Sequence, residues 1–178
     1  MIPATGPVGR KLRDVALLLL DVDGVLTDGR IVLDDAGVET KRFHVRDGLG
    51  IRLLGAEGIG VGIVTGRSGE ALRHRCRELG IDLIFDGAGD KDSVLPAVVA
   101  RTGVDPERIA FVGDDLPDLP LMARVGVGLA VADAVPEVLA RADAVAARAG
   151  GRGAVREVCE AILRARGRWE AAVSRFCA

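Results

Sequence analysis

The stretch that most constrains this chain is residues 15–27. A continuous apolar run at 15–20 stops abruptly in Asp21-Val22-Asp23-Gly24-Val25-Leu26-Thr27. A run apolar at every position, rather than every second one, fits a strand buried on both faces, as in a parallel sheet. Open α/β sheets bind ligands just past the carboxyl ends of their strands, and Asp21 and Asp23 stand there. Two acids so close repel unless a cation neutralises them or one keeps its proton. Alone, the stretch is equally compatible with an acidic turn, since Asp and Gly are ordinary turn residues.

The rest of the chain repeats the pattern. Further apolar runs of strand length lie at 60–64, 81–85, 108–112 and 127–131, with a short edge strand at 143–146. Helical stretches alternate with them at 47–58, 68–79, 92–101, 117–124, 134–140 and 154–166. Asp47 is the expected N-cap of the first of these, and Gly80 the stop of the second. Such alternation predicts an α/β, doubly wound, mostly parallel sheet in a single domain, 1–178. Residues 29–44 break the rhythm. Arg30-Ile31-Val32-Leu33 and Glu39-Thr40-Lys41-Arg42-Phe43-His44 flank Asp34-Asp35-Ala36-Gly37, a β-hairpin pattern. An isolated hairpin is marginal, so this flap should pack on something, a partner subunit included. Residues 1–13 read as a loose lead-in, and the tail, about 148–178, ends without a clear assignment.

Composition removes several function classes. The 178 residues carry a net charge of -2, which gives no general attraction to nucleic acid or an anionic membrane. No apolar run approaches the ~20 residues that span a bilayer, and residues 1–13 hold no apolar leader. The three cysteines are far apart and odd in number, and read as reduced thiols in a cytoplasmic protein. Aromatics make up 3% of the chain, so its core must come from Val, Leu, Ile and Ala.

Four strand ends then share one sheet edge: Asp21 and Asp23, Thr65 with Gly66 and Arg67, the loop before Lys91, and Asp114 with Asp115. One carboxylate there can be nucleophile and metal ligand together, and a second a general acid. A hydroxyl and a lysine can hold a phosphoryl group, and another acidic pair completes an oxygen-rich Mg²⁺ site. In this order and at these positions the residues resemble the four motifs of the haloacid-dehalogenase-like superfamily. Residues 21–29, Val45-Arg46-Asp47-Gly48, Thr65-Gly66-Arg67, Gly113-Asp114-Asp115 and residues 150–157 together resemble the 3-deoxy-D-manno-octulosonate 8-phosphate phosphatase family. That resemblance implies a Rossmann-like fold without a cap domain, Mg²⁺ dependence, a homotetramer, and a place in lipopolysaccharide biosynthesis.

Carried over by position, Asp21 would attack phosphorus and bind Mg²⁺. Asp23 would protonate the leaving alkoxide, then help activate water, and lend its backbone carbonyl to the metal. Thr65, Gly66 and Lys91 would hold the phosphoryl oxygens. Asp114 would complete the carboxylate ligands, with Asp115 orienting Lys91 or a metal-bound water. Gly48 is assigned to substrate binding through its motif. The general acid Asp23 also argues against a dehalogenase, which has no alkoxide to protonate.

Spacing supports the capless reading independently, because the gaps from Asp23 to Thr65 and from Thr65 to Lys91 leave no room for a lid domain. Water exclusion and recognition of the leaving group must then fall to the hairpin, from the same or a neighbouring subunit. Arg67, beside Thr65, is a candidate for the substrate's carboxylate or hydroxyls. Arg152 and Arg156 have two readings: a solvated loop and helix face, or, as the resemblance implies, a segment that enters an adjacent subunit's site. Arg164, Arg166 and Arg168 read as surface charge, His44 and His74 as surface residues, and Trp169 and Phe176 as packing on the domain or a partner. The leading reading is hydrolysis of the eight-carbon sugar-acid phosphate. A nine-carbon sialic-acid-type 9-phosphate and a catalytically idle oligomeric scaffold are the alternatives.

Overall fold

A computed structural model describes residues 1–177. Its order is α1 (Gly6–Asp14), β1 (Leu17–Leu20), β2 (Val32–Leu33), β3 (Glu39–Thr40), α2 (Val45–Ala56), β4 (Gly60–Val64), α3 (Glu70–Leu79) and β5 (Leu83–Phe85). It continues with α4 (Leu95–Thr102), β6 (Ile109–Gly113), α5 (Leu119–Met122), β7 (Val127–Ala130), α6 (Pro136–Leu139), β8 (Ala144–Val145), α7 (Ala154–Ala165) and α8 (Trp169–Ser174). Six strands form one parallel sheet in the order β5-β4-β1-β6-β7-β8.

The apolar run at the start of the chain lies at the heart of this sheet. All four residues of β1 are buried, and hydrogen bonds flank it on both sides. Strand order reverses direction about β1: the chain first builds outward through β4 and β5, then crosses to β6 on the other side. Leu20 is in register with Ile63 and with Val112. Asp21, Thr65 and Asp114 therefore leave three adjacent strands almost level with one another. No cap domain interrupts the described chain; only the hairpin and α2 separate β1 from β4.

The hairpin forms, with arms shorter than its sequence pattern. Only Val32 and Leu33 pair with Thr40 and Glu39. Its turn is built as the residues dictate: Asp34 Oδ1 accepts from the amides of Ala36 and Val38 at 3.0 and 2.8 Å, and Gly37 takes the left-handed conformation, φ +76°. Ile31, Val32, Leu33 and Val38 are exposed.

The expected loose lead-in is instead a helix. Pro7 sits in the first turn of α1, Lys11 and Arg13 lie at its carboxyl end, and Leu12 is sealed in the core. Apolar residues are so sparse along it that periodicity hides the helix. The N-cap of α2 is His44, whose Nδ1 accepts from the Arg46 amide at 3.3 Å, not Asp47. Asp47 lies one turn further in, buried, and its Oδ1 accepts from the backbone amide of Arg156 at 2.7 Å. It caps α7 across an interhelical contact, a role that neighbours in sequence could not reveal.

Near the end of α7, Arg166 donates to the carbonyls of Arg13 and Val15, at 3.0 and 2.9 Å. It ties the last long helix to the link between α1 and β1, so it is not simply surface charge. Trp169 is buried against this helix, with the guanidinium groups of Arg156 and Arg164 over its ring at 5.3 and 4.9 Å. Phe176 is exposed.

Candidate active site

The end of β1 is held to its neighbours by backbone alone: the Asp21 amide donates to the Val112 carbonyl at 3.0 Å. Gly24 then turns with φ +97°. A Cβ at Gly24 would lie 2.0 Å from Asp114 Oδ2, so only glycine lets this loop approach that carboxylate. From behind, Gly150 and Gly151 press on the same loop. The Gly151 amide donates to the Val25 carbonyl at 2.9 Å, and a Cβ at Gly150 would meet the Gly24 carbonyl oxygen at 1.5 Å.

Lys91 is the centre of the charges. Its buried Nζ lies 2.7 Å from Asp21 Oδ1 and 2.5 Å from Asp118 Oδ1. Burial pulls the ammonium's pKa down, but the two carboxylates outweigh it and hold it above the ordinary lysine value. Asp118 is the residue that sequence reasoning missed. It is 1% exposed, and its Oδ2 accepts from the amides of Asp114 and Asp115 at 2.8 and 3.2 Å. Of the two roles expected of Asp115, orienting Lys91 belongs to Asp118. Asp115 instead accepts from the Leu116 amide at 2.8 Å and caps a short 3₁₀ turn, with Asp118 reciprocating in a capping box. The spacing Asp115-x-x-Asp118 was the available signal: a reciprocal cap turns the second acid back toward the strand end.

Asp21, Asp114 and Asp118 each bring a carboxylate oxygen within 4.8 Å of the others. Asp118 has both oxygens engaged. Asp114 does not: its buried Oδ1 has no hydrogen-bond partner. Burial first, then the charges of Asp21 and Asp118, push the Asp114 carboxyl up to about 8. Burial likewise lifts Asp21 to about 6 against the pull of Lys91. Two acids held facing each other, with an orphaned oxygen between β1 and β6, fit a hard divalent cation, which would keep both ionised. Asp21 and Asp114 are the carboxylates suited to it.

Thr65 is buried at the end of β4, its Oγ1 accepting from the Arg67 amide at 3.4 Å and its carbonyl from the Ala88 amide at 3.0 Å. This draws the loop before Lys91 against Gly66 and completes the floor. Asp23 faces the hairpin. Its Oδ1 accepts from Lys41 Nζ at 2.5 Å, and its Oδ2 lies 3.6 Å from Arg67 Nε with no hydrogen bond of its own. Lys41 and Arg67 also share Glu39 Oε1, each at 3.1 Å. Burial raises the Glu39 pKa, but hydrogen bonds from Lys41 and Arg67 more than offset it, and the carboxyl lies below its usual value. Lys41 and Glu39 were not singled out from sequence, because alternation along a hairpin arm gives no sign of which residues turn inward.

The remaining candidates lie elsewhere. Gly48 is buried in α2, where a Cβ would meet the Arg75 guanidinium at 2.3 Å. Arg156 is engaged within its own chain, its Nε 2.7 Å from Glu160 and its guanidinium over Trp169. Arg152 is exposed and borders a cleft with Arg46, Arg148 and Arg164, away from the acidic cluster.

Residues 81–157 match the model of the haloacid dehalogenase-like hydrolase family. The chain is 45% identical over 170 residues to the 3-deoxy-D-manno-octulosonate 8-phosphate phosphatase of Escherichia coli, covering 96% of this chain and 90% of that protein. A crystal structure of the Moraxella catarrhalis phosphatase of that name, in complex with magnesium ion, phosphate ion and a KDO molecule, superposes with a TM-score of 0.91 at 40% identity, covering 94% of this chain and 96% of the other. The cobalt-bound enzyme from Haemophilus influenzae gives 0.88 at 42%, covering 90% and 94%.

Proposed function

The chain belongs to the 3-deoxy-D-manno-octulosonate 8-phosphate phosphatase family of haloacid-dehalogenase-like hydrolases, and from that premise we propose that it releases phosphate from this eight-carbon sugar acid, with Mg²⁺ as cofactor. The observation that carries the reading is the pairing of Lys91 with Asp21 beside the orphaned oxygen of Asp114. It supplies a positioned nucleophile, a cation for the phosphoryl oxygens and an unfilled ligand set in one place.

Asp21 attacks phosphorus and becomes an aspartyl phosphate as the sugar alkoxide leaves. Lys91, fixed by Asp118, steadies the nucleophile and then the phosphoryl oxygens, with the Thr65 hydroxyl and the Gly66 backbone on the other side. Asp23 gives its proton to the departing oxygen, then takes one from the water that opens the acyl phosphate, which restores Asp21 and frees phosphate. Mg²⁺, held by Asp21, Asp114 and the Asp23 carbonyl, would supply charge neutralisation for the transferring group.

The exposed apolar hairpin supports a homotetramer in which a neighbour covers Ile31, Val32, Leu33 and Val38. Arg152, whose side chain has no ion-pair partner among the described residues, is the tail residue suited to reach an adjacent site. No described helix is long and apolar enough to cross a membrane. With Cys76, Cys159 and Cys177 all free, this supports a cytoplasmic enzyme of one phosphatase domain. It has no nucleic-acid partner in this reading.

The test is a phosphate-release panel of eight- and nine-carbon sugar-acid phosphates and simple sugar phosphates, with and without chelator. The eight-carbon compound should be preferred, and release should stop with chelator and in Asp21→Asn. Preference for simple sugar phosphates would overturn the substrate; undiminished release by the variant would overturn the mechanism.

A further inference from the structure

The loop that follows the nucleophile is braced from behind by residues 147–153, and carboxylates hold that brace. Glu157 accepts from the Ala147 amide at 3.0 Å, Asp133 Oδ1 from the Gly150 amide at 2.9 Å, and Asp47 Oδ1 from the Arg156 amide just beyond, at 2.7 Å. Asp133 is exposed and Glu157 half-buried, whereas Asp47 is sealed from water. Asp47 reaches across from α2. Gly50, one turn further along that helix, makes the reach possible: a Cβ there would lie 3.1 Å from Arg156 Cδ and 3.2 Å from Cys159 Cβ, so glycine lets the two helices close up. α7 has need of a borrowed cap, because its own N-cap is Gly153, which has no side chain to offer. The cap is a costly one. Asp47 Oδ2 is buried with no hydrogen-bond partner among the described residues, and burial lifts the carboxyl's pKa further than the amides of Arg156 and Gly153 pull it down. A half-orphaned acid is a poor means of merely steadying a helix.

We propose that Asp47 is a positioning residue for the metal site: by fixing the first turn of α7 it keeps Gly150 and Gly151 against the Gly24–Thr27 loop, and so keeps Gly24 against Asp114. The route is short. From the capped amide of Arg156 the chain runs back through Gly153 to Gly151, whose amide donates to the Val25 carbonyl at 2.9 Å. Gly151 fits there without slack, since a Cβ would lie 2.5 Å from the Thr27 carbonyl carbon. Thr27 closes the loop, its amide and hydroxyl both donating to the Val22 carbonyl, at 3.0 and 3.3 Å. Gly24 stands at the front of this turn, where only glycine clears Asp114 Oδ2. Freed from Asp47, the first turn of α7 frays, the brace recedes, and the loop beside the carboxylates that would hold Mg²⁺ is no longer backed. Cation binding must then restore the closed arrangement first, and the apparent affinity falls with the closed fraction.

This rests on the Mg²⁺ site at Asp21 and Asp114, and the experiment keeps the two ideas apart. Calorimetric titration with Mg²⁺ is run on wild type, Asp47→Ala, Asp47→Asn and Val98→Ala. The last opens a cavity beneath α4 and serves as the control for lost stability. The dissociation constant should rise about 3- to 10-fold in Asp47→Ala, as the worth of one helix cap allows. Asp47→Asn keeps an oxygen facing the Arg156 amide and should stay within about twofold of wild type. Val98→Ala should bind Mg²⁺ as wild type does, whatever its urea midpoint. Asp47→Ser replaces Asp47→Ala if the latter does not fold. Unchanged affinity on loss of the Asp47 carboxylate overturns the inference, as does an equal weakening in Val98→Ala or in Asp47→Asn. A wild type that binds no Mg²⁺ overturns the reading of the site, and the inference with it.

Discussion

Asp114→Asn offers the sharpest test of the metal site, because it changes charge while keeping shape. In the metal-free protein, burial and the charges of Asp21 and Asp118 move the Asp114 carboxyl from 3.8 to about 8. The folded state thus holds this proton more tightly than the unfolded chain. The penalty is absent below the unfolded value and grows as pH rises toward the folded one. For an isolated carboxyl, roughly 4 kcal/mol would develop between pH 5 and pH 8. Asp114 is only partly sealed and titrates with Asp21, so about half, ~2 kcal/mol, is the appropriate expectation. For a chain of this size that is about 4–8 °C of melting temperature. In chelator, wild type should therefore lose about 4–8 °C more than Asp114→Asn between pH 5 and pH 8. Mg²⁺ at about 100 times its dissociation constant should return ~2.7 kcal/mol to wild type and little to the variant. Thermal unfolding at the two pH values, with and without Mg²⁺, reads both effects. Parallel pH curves for the two proteins in chelator would refute the reasoning.

Other perturbations test other contacts. Lys91→Met strands Asp21 and the fully buried Asp118 without their cation and should cost about 3–5 kcal/mol, read by urea titration. Asp118→Asn keeps the backbone cap but weakens the hold on Lys91; activity should fall at least about tenfold with little change in the urea midpoint. Gly24→Ala, which drives a methyl group into Asp114, should weaken the Mg²⁺-induced rise in melting temperature. Paired Val32→Asp and Leu33→Asp changes place charges on the exposed hairpin and should shift the chain toward monomer in light scattering, while the monomer's far-ultraviolet dichroism stays native.

The sheet was legible because its strands are nearly uninterrupted apolar runs and its helices end at glycines such as Gly80, which takes the left-handed C-cap expected of it. Asp21, Asp23, Thr65 and Asp114 could be placed on one sheet edge because each lies within a few residues of the end of such a run, and Lys91 because only a short loop separates it from one. What stayed hidden depends on contacts between distant residues. Asp47 looks like a cap for its own helix and caps another. Asp118 lies in a helical turn and gains its meaning only when the turn folds back on β6. Lys41 and Glu39 lie on a hairpin whose direction is set by what it packs against. The first helix was missed for a different reason: its stability comes from docking Leu12, not from an apolar stripe of its own.

The packing of Gly150 and Gly151 against the Gly24–Thr27 loop also has a temporal meaning. The nucleophile and its loop are synthesised well before the wall behind them. Between these events the chain must also deliver β4 and β6 to either side of β1. The reaction centre is therefore assembled only when residue 151 is free to fold, so a nascent chain carries the acids without the catalyst. A chain stopped at residue 147 should retain every acidic ligand and still show no Mg²⁺-induced stabilisation. The phosphoryl chemistry thereby waits on a wall far along the chain from the nucleophile.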